Sequence, residues 1–290
     1  MLPANYELVA CPNWRAEACI SQYNRKFIRG LRFTMAQKQI SFCSTTFNRL
    51  WQLEKTLEIN LRALDDNQEL VLADFGTDGT SAWVWENHSS AIKSKKLVFF
   101  EVKSPVSWHV AKAKNLAHRL SSGEYLFSLD GDNFIDSQDI NAIKKASELG
   151  KPIHQWSGSW SDGSAGRIGL PRHLFFDIGG YDEAFLPMGG DDVDLIRRLF
   201  LKQIQVMRTA GPSMPAIQNT TLQKVHGFYQ GDKAHAAWSR VNAFNLELSK
   251  LKNEIEGPCR VGGYATFRGT LNGKAVRIDG LGALTAEPIE

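Results

Sequence analysis

The chain has 290 residues, of which 43% are hydrophobic and 22% charged, with a net charge of +3, which is ordinary for a soluble globular protein. So small a net charge, with no run of Lys or Arg, gives no support to nucleic-acid binding. The strongest apolar stretches, such as Leu97–Phe100, are far too short to span a bilayer.

The length allows one large domain or two small ones. The opening MLPANYELVACPNW has no apolar core of signal-peptide type. Cys11, Cys19, Cys43 and Cys259 are scattered, without close pairs of zinc-site spacing. Free thiols in a reducing cytosol are the expectation, and peripheral membrane association through a partner or a surface patch stays open.

Residues 1–38, with Trp14, Tyr23, Phe27 and Phe33 among basic residues, read as an N-terminal extension packed on the core domain. A strand is expected over Gln39–Ser44, then a loop over Thr45–Arg49. Leu50, Leu53, Leu57, Leu61 and Leu64 recur at helical spacing. Glu69–Ala73 is a second strand, ending at Asp74 and the turn-rich FGTDGT, and Lys96–Val102 is a third. Val110, Ala113, Ala117 and Leu120 mark an amphipathic helix closing near Gly123. Tyr125–Leu129 is a short apolar run between glycines, which reads as a buried strand of a parallel sheet.

Asp130, Gly131 and Asp132 follow that strand. Open α/β sheets bind ligands at this edge. Two carboxylates with a glycine between them suit a hard divalent cation carrying phosphates, although Asp and Gly are also ordinary turn residues. Ile140, Ile143 and Leu149 suggest a further short helix. Strands alternating with helices over short connections predict an α/β fold, a mainly parallel sheet covered by helices on both faces. Neither a Gly-x-Gly-x-x-Gly after the first strand nor a Walker-type phosphate loop is present.

Gly158–Gly166, rich in Gly and Ser, is a loop and by composition a candidate lid. Gly189-Gly190-Asp191-Asp192-Val193-Asp194 leads into a helical face of Leu195, Ile196, Leu199 and Phe200. Trp238, Val241, Phe244, Leu248 and Leu251 trace a later helix, and Asn272-Gly273 signals a hairpin.

Several of these segments, in order, carry a resemblance: SFCSTTFNR (41–49), VLADFGTDGT (71–80), AKAKNLA (111–117), EYLFSLDGDN (124–133), GRIGLPRHLFFDIGGYDEAF (166–185) and GGDDVDLIRRL (189–199). Together the chain resembles the inverting glycosyltransferases of family 2, with the nucleotide-sugar-binding fold called GT-A. Its latter half is similar to the branch of chondroitin-type polymerases and β-1,4-galactosyltransferases. The resemblance covers roughly residues 39–200, and the expected organisation is a GT-A domain over residues 39–230 with a C-terminal helix and hairpin extension over 231–290. One departure is visible: the family's Glu-Asp pair ahead of the last helix is Asp191-Asp192 here.

The resemblance implies that Asp132 ligates a divalent cation, Mn²⁺ or Mg²⁺, while Asp130 holds the ribose or reaches the metal through water. His226, in a glycine-flanked segment, is the candidate further ligand, although a lone His is more often a packed or surface residue. Asp192 is the expected general base, with Asp191 on the acceptor sugar and Asp194 capping the helix. Thr45, Arg49 and Asp74 map to the nucleotide pocket. Asp74 suits the N3–H of uracil or, equally, an Asx turn before Gly76. Lys114 and Asn115 map near base and ribose, and Lys114 reads equally as a solvated helix face. Trp156, Trp160 and Tyr181 are candidates for an aromatic floor under sugar rings, or simply core.

The implied activity is metal-dependent, inverting transfer of a hexose or N-acetylhexosamine from a nucleotide sugar, UDP expected, to a hydroxyl of a glycan, free or lipid-linked. The rivals are an inactive sugar- or nucleotide-binding module, a sugar nucleotidyltransferase and a glycosidase. The nucleotidyltransferase lacks its Gly-rich basic loop here, and a glycosidase leaves the Asp74 and Asp132 segments unexplained.

Overall fold

A computed structural model describes residues 38–103, 107–160, 162–260, 264–280 and 284–286. Most of the expected N-terminal extension, with Cys11 and Cys19, lies outside the described residues. Cys43 and Cys259 are free and buried.

The sheet starts with β1 (Ile40–Thr46), β2 (Gln68–Asp74), β3 (Leu97–Val102) and β4 (Tyr125–Ser128). These four run parallel in the order β3-β2-β1-β4. Strand β1 continues two residues beyond the expected end, so Thr45 and Thr46 belong to the strand and not to the loop.

Alternation along each strand divides the core. Ile40, Phe42, Leu70, Leu72, Leu97, Phe99, Tyr125 and Phe127 face one side, and Cys43, Val71, Ala73, Val98 and Phe100 the other. Helices α1 (Leu50–Ala63), α2 (Thr80–Lys93) and α4 (Ser137–Glu148) cover the first face through Leu53, Leu57, Leu61, Val84, Ile92, Ile140 and Ile143. Helix α3 (Val110–Leu120) covers the second through Ala113, Leu116, Ala117 and Leu120. Helix α2 has no counterpart among the sequence expectations, because its inward row is Thr80, Val84, His88 and Ile92 and not a leucine repeat.

Antiparallel strands extend both edges. On one side come β6 (Ile168–Pro171) and β5 (Ile153–His154), then β7 (Met207–Arg208) parallel to β5. On the other side β8 (Phe267–Leu271), β9 (Lys274–Ile278) and β10 (Leu284–Ala286) complete ten strands among the described residues. The expected hairpin joins β8 to β9, with Asn272 and Gly273 both at positive φ (48° and 83°), as a two-residue turn of this twist demands. Because β8 pairs with β3, the hairpin continues the central sheet.

Helices α5 (Arg172–Asp177) and α6 (Asp191–Leu201) pack a third cluster with α3 through Phe175, Phe176, Leu195 and Leu199. Then come α7 (Thr221–Val225) and the 22-residue α8 (Ala234–Ile255). No described helix is long and apolar enough to cross a membrane.

Candidate active site

The C-terminal ends of β1 and β4 and the N-terminus of α6 meet at a cleft of about 950 Å³, a size typical of small-molecule sites. Thr45, Arg49, Lys114, Asp130, Asp132, Asp191, Asp192 and His226 all line it. The structure therefore brings eight of the ten sequence-selected site residues to one place.

Lys114 is the centre of the floor. Its Nζ lies 2.7 Å from Asp192 Oδ1, 3.1 Å from Asp191 Oδ2 and 3.8 Å from Asp130 Oδ1. The solvated-face alternative fails, since the residue is only 4% exposed. Burial alone would lower its pKa, but the charges of Asp130, Asp191 and Asp192 outweigh it and hold the ammonium well above the ordinary lysine value. The Tyr181 ring lies 5.0 Å beneath Nζ, and its hydroxyl hydrogen-bonds Ser128 at 2.6 Å. Tyr181 is thus core packing under the lysine and not an open sugar platform.

Gly166 lies between the acids. A Cβ there would stand 2.8 Å from Asp130 Oδ2, 3.1 Å from Asp192 Oδ2 and 3.5 Å from Lys114 Nζ. Asp192 is pushed up to about 7, by burial first and then by the charge of Asp191, with Lys114 opposing. Its side chain is 23% exposed against 7% for Asp191, so Asp192 is the one a solute reaches.

The segment before α6 is fixed by Asn245 on α8. Its Nδ2 donates to the carbonyls of Leu186, Met188 and Gly189, and its Oδ1 accepts from Leu186 N–H. The turn itself runs through Gly189 and Gly190 at φ 86° and 80°, where side-chain-bearing residues are strained. Asp194 does not cap α6 as expected. It is fully buried and binds Arg198 at 2.7 Å, Arg260 at 3.0 Å and Ser249 Oγ at 2.7 Å, so its charge is spent on an internal network.

Asp132 faces a second set. Asn133 Nδ2 donates to Oδ1 at 2.8 Å and Asn219 Nδ2 to Oδ2 at 2.5 Å. Asn219 Oδ1 accepts from Arg49 Nη1 and Gln52 Nε2, each at 2.7 Å. One amide thus joins α1, the Asp130 loop and the segment before α7. Neither Asn219 nor Gln52 carried a sequence signal, being single amides in stretches of mixed polarity. Burial, then the charge of Asp130, raises Asp132 to about 6.

Two expected site residues stay out of the cleft. Asn115 is buried and clamps the turn after α5, donating to Tyr181 O and Glu183 Oε1 and accepting from Tyr181 N–H. Asp74 is 1% exposed, accepts from Gly76 N–H at 2.8 Å as an Asx turn does, and is pushed up to about 7 by its burial. Of the aromatic candidates only Trp160 lines the cleft, tilted against Trp156 at 4.8 Å between centroids. Phe47, Trp51, Trp108 and Trp238 line it as well, Phe47 stacking on Trp108 at 5.4 Å. Trp238, Asn242, Leu246 and Lys250 bring one strip of α8 to the cleft, at four-residue intervals.

Among the described residues no group of three or more His, Cys, Asp or Glu is arranged to hold a metal ion. His226 is exposed, its ring 6.4 Å from that of Phe47. The donor set nevertheless fits a magnesium-type ion, which takes one or two carboxylates and completes its shell with phosphate and water. Both Asp132 oxygens accept hydrogen bonds from neutral amides, and burial together with the charge of Asp130 outweighs Arg49 in raising its pKa, so an added cation would be favoured there.

No protein-family model matches the sequence, and no curated protein matches it. Solved structures do. A mannosyltransferase from Pyrobaculum calidifontis in complex with GDP-Man and Mn²⁺ is similar over 82% of this chain and 72% of that one, at 19% identity and a TM-score of 0.56. S. aureus TarS 1-349 in complex with UDP is similar over 75% and 72%, at 13% identity and a TM-score of 0.50. The chain has a GT-A glycosyltransferase fold. Identities this low carry the architecture and not the substrate.

Proposed function

We propose that the protein is a metal-dependent, inverting glycosyltransferase of the family 2 type. It would move a hexose or N-acetylhexosamine from a nucleotide sugar, UDP-linked by preference, to a hydroxyl of a free or lipid-linked glycan. The observation that carries this is the floor of the cleft: Lys114 holds Asp130, Asp191 and Asp192 together at the C-terminal edge of the parallel strands, with Asp132 beside them. The two structural neighbours, solved with GDP-Man and with UDP, support a nucleotide ligand.

Asp132, with Asp130 directly or through water, would hold a divalent cation that supplies charge to the departing diphosphate. Thr45 and Arg49 would bind the nucleotide beside it. The acceptor hydroxyl loses its proton to Asp192 as its oxygen attacks the anomeric carbon, and the bond to the diphosphate breaks on the opposite side. Lys114 fixes the Asp192 carboxylate, and Asp191 hydrogen-bonds the acceptor sugar. The α8 strip from Trp238 to Lys250 would form the acceptor side, where an indole suits the C–H face of a sugar ring.

Calorimetry of UDP and GDP, with Mn²⁺ and with EDTA, tests the donor site on wild type and Asp132→Ala. The expected result is cation-dependent binding that the substitution abolishes. Failure of UDP, GDP and dTDP alike would overturn the reading.

A further inference from the structure

Helix α8 carries its side chains inverted for a surface helix. Asn245, Ser249 and Asn253 are buried, whereas Phe244, Leu251 and Ile255 are 53%, 52% and 67% exposed. Half-buried Val241 and Leu248 complete the row. Positions 241, 244, 248, 251 and 255 alternate steps of three and four, the a and d spacing of a heptad, over about 21 Å of helix. Such a row is ordinarily the buried one. Here the inward side is polar because its amides and hydroxyl serve the Asp194–Arg260 network and the Leu186–Gly189 turn. The row is also separate from the strip that lines the cleft.

We propose that this row joins two copies of the chain through antiparallel α8 helices about a twofold axis. Centred near Leu246, the pairing sets Val241 against Leu251 of the second copy and Phe244 against its Leu248. Arg240, Glu247 and Glu254 flank the row at the g positions, all exposed. In an antiparallel pair the g positions face one another, so Arg240 meets the second copy's Glu254, twice by symmetry. Arg240 and Glu254 have no ion-pair partner among the described residues, whereas Glu247, which meets its own counterpart at the axis, is held by Lys250 at 2.6 Å, and that lysine offsets the like-charge contact. A parallel pair would need Lys252, which is committed to Asp182 at 2.7 Å. The flank's mixed, slightly acidic charge does not suit an anionic lipid surface. A two-heptad contact falls short of the roughly 800 Å² per partner of a standard interface, so the pairing is micromolar and concentration-dependent.

Sedimentation equilibrium of the full chain from about 1 µM to about 1 mM reads the pairing, with UDP calorimetry on the same samples as an independent check of the donor site. A reversible monomer–dimer equilibrium is expected. Arg240→Glu and Glu254→Arg should each weaken it about tenfold, the double variant should restore it, and Phe244→Asp should give monomers. UDP binding should stay as in wild type throughout. A wild-type monomer at every concentration overturns the proposal. So does a dimer indifferent to Phe244→Asp, a double variant no better than the singles, or a monomer that binds phosphatidylcholine vesicles through Phe244.

Discussion

The Lys114 ammonium stands 2.7 Å from Asp192 and 3.1 Å from Asp191, so one buried cation bridges two adjacent carboxylates and offsets part of their charge. Without it both acids face like charges only. Lys114→Met should raise the Asp192 pKa further, since the lysine is what lowers it, and leave less base at neutral pH. Transfer should fall by about 100-fold or more, the ordinary contribution of a positioned base. Breaking a buried pair costs about 3–5 kcal/mol, and proton uptake by one of the acids would moderate that. Rate–pH profiles and thermal melts of both proteins check this. An unmoved acidic limb in the variant would sink the proposed role of Lys114.

The wild-type profile follows from the same carboxylate. A base must be deprotonated to act, and Asp192 is raised to about 7. Transfer should therefore be full above that pH and decline as pH falls through it, one proton per site. Asp132 is raised only to about 6, so nucleotide binding should persist to lower pH than turnover. Asp192→Asn should remove the limb along with the activity. A flat rate from about pH 5.5 to 8.5 would be inconsistent with an essential base of this pKa.

Gly166 permits the acids to converge. A methyl there would stand 2.8 Å from Asp130, closer than carbon and oxygen come, and a tight 3.1 Å from Asp192. Gly166→Ala should push the two carboxylates off Lys114. A loss of turnover of roughly 100-fold is expected, as for an angstrom-scale misplacement, with stability changed by about 1–3 kcal/mol. Wild-type kinetics in this variant would show that the loop backs away freely and that Gly166 fixes nothing.

The leucine row of α1 and the Asp130-Gly131-Asp132 triplet were legible because both are local: a helical repeat and a strand-end cluster within a few residues. Lys114 was ambiguous for the opposite reason. Its burial depends on carboxylates 77 and 78 residues away, and no local pattern shows that. Asn115 shares its helix and sequence segment, yet one helical step turns it towards Tyr181 and out of the cleft. Asp194 reads as a cap from position alone, but Arg260, 66 residues on, claims it. In α8 the apolar row announced a helix correctly. Which side faces inward was set by the buried amides that hold the Asp191 turn.

Asn219 ties Asp132 to Arg49 and Gln52, and Ile217 N–H adds a bond to the Asp132 carbonyl at 2.8 Å. The segment entering α7 therefore rests on the floor of the cleft through Asn219 and Ile217, and Arg49 adds a bond to the Gln223 carbonyl on α7 itself. Asn219→Ala removes four hydrogen bonds, the weakest a 3.5 Å contact to the Ile217 carbonyl, each worth up to about 0.5–1.5 kcal/mol net, and leaves Arg49 less well placed. It also takes from Asp132 a bond that favours its charged form. Cation-dependent UDP binding should weaken by about tenfold, near 1.4 kcal/mol, and trypsin should cut faster after Lys224. Calorimetry with and without Mn²⁺ reads the first and timed digestion the second. Tighter binding in the variant would mean instead that the Asn219 amide occupies the place of the cation on Asp132, and the positioning role would fall.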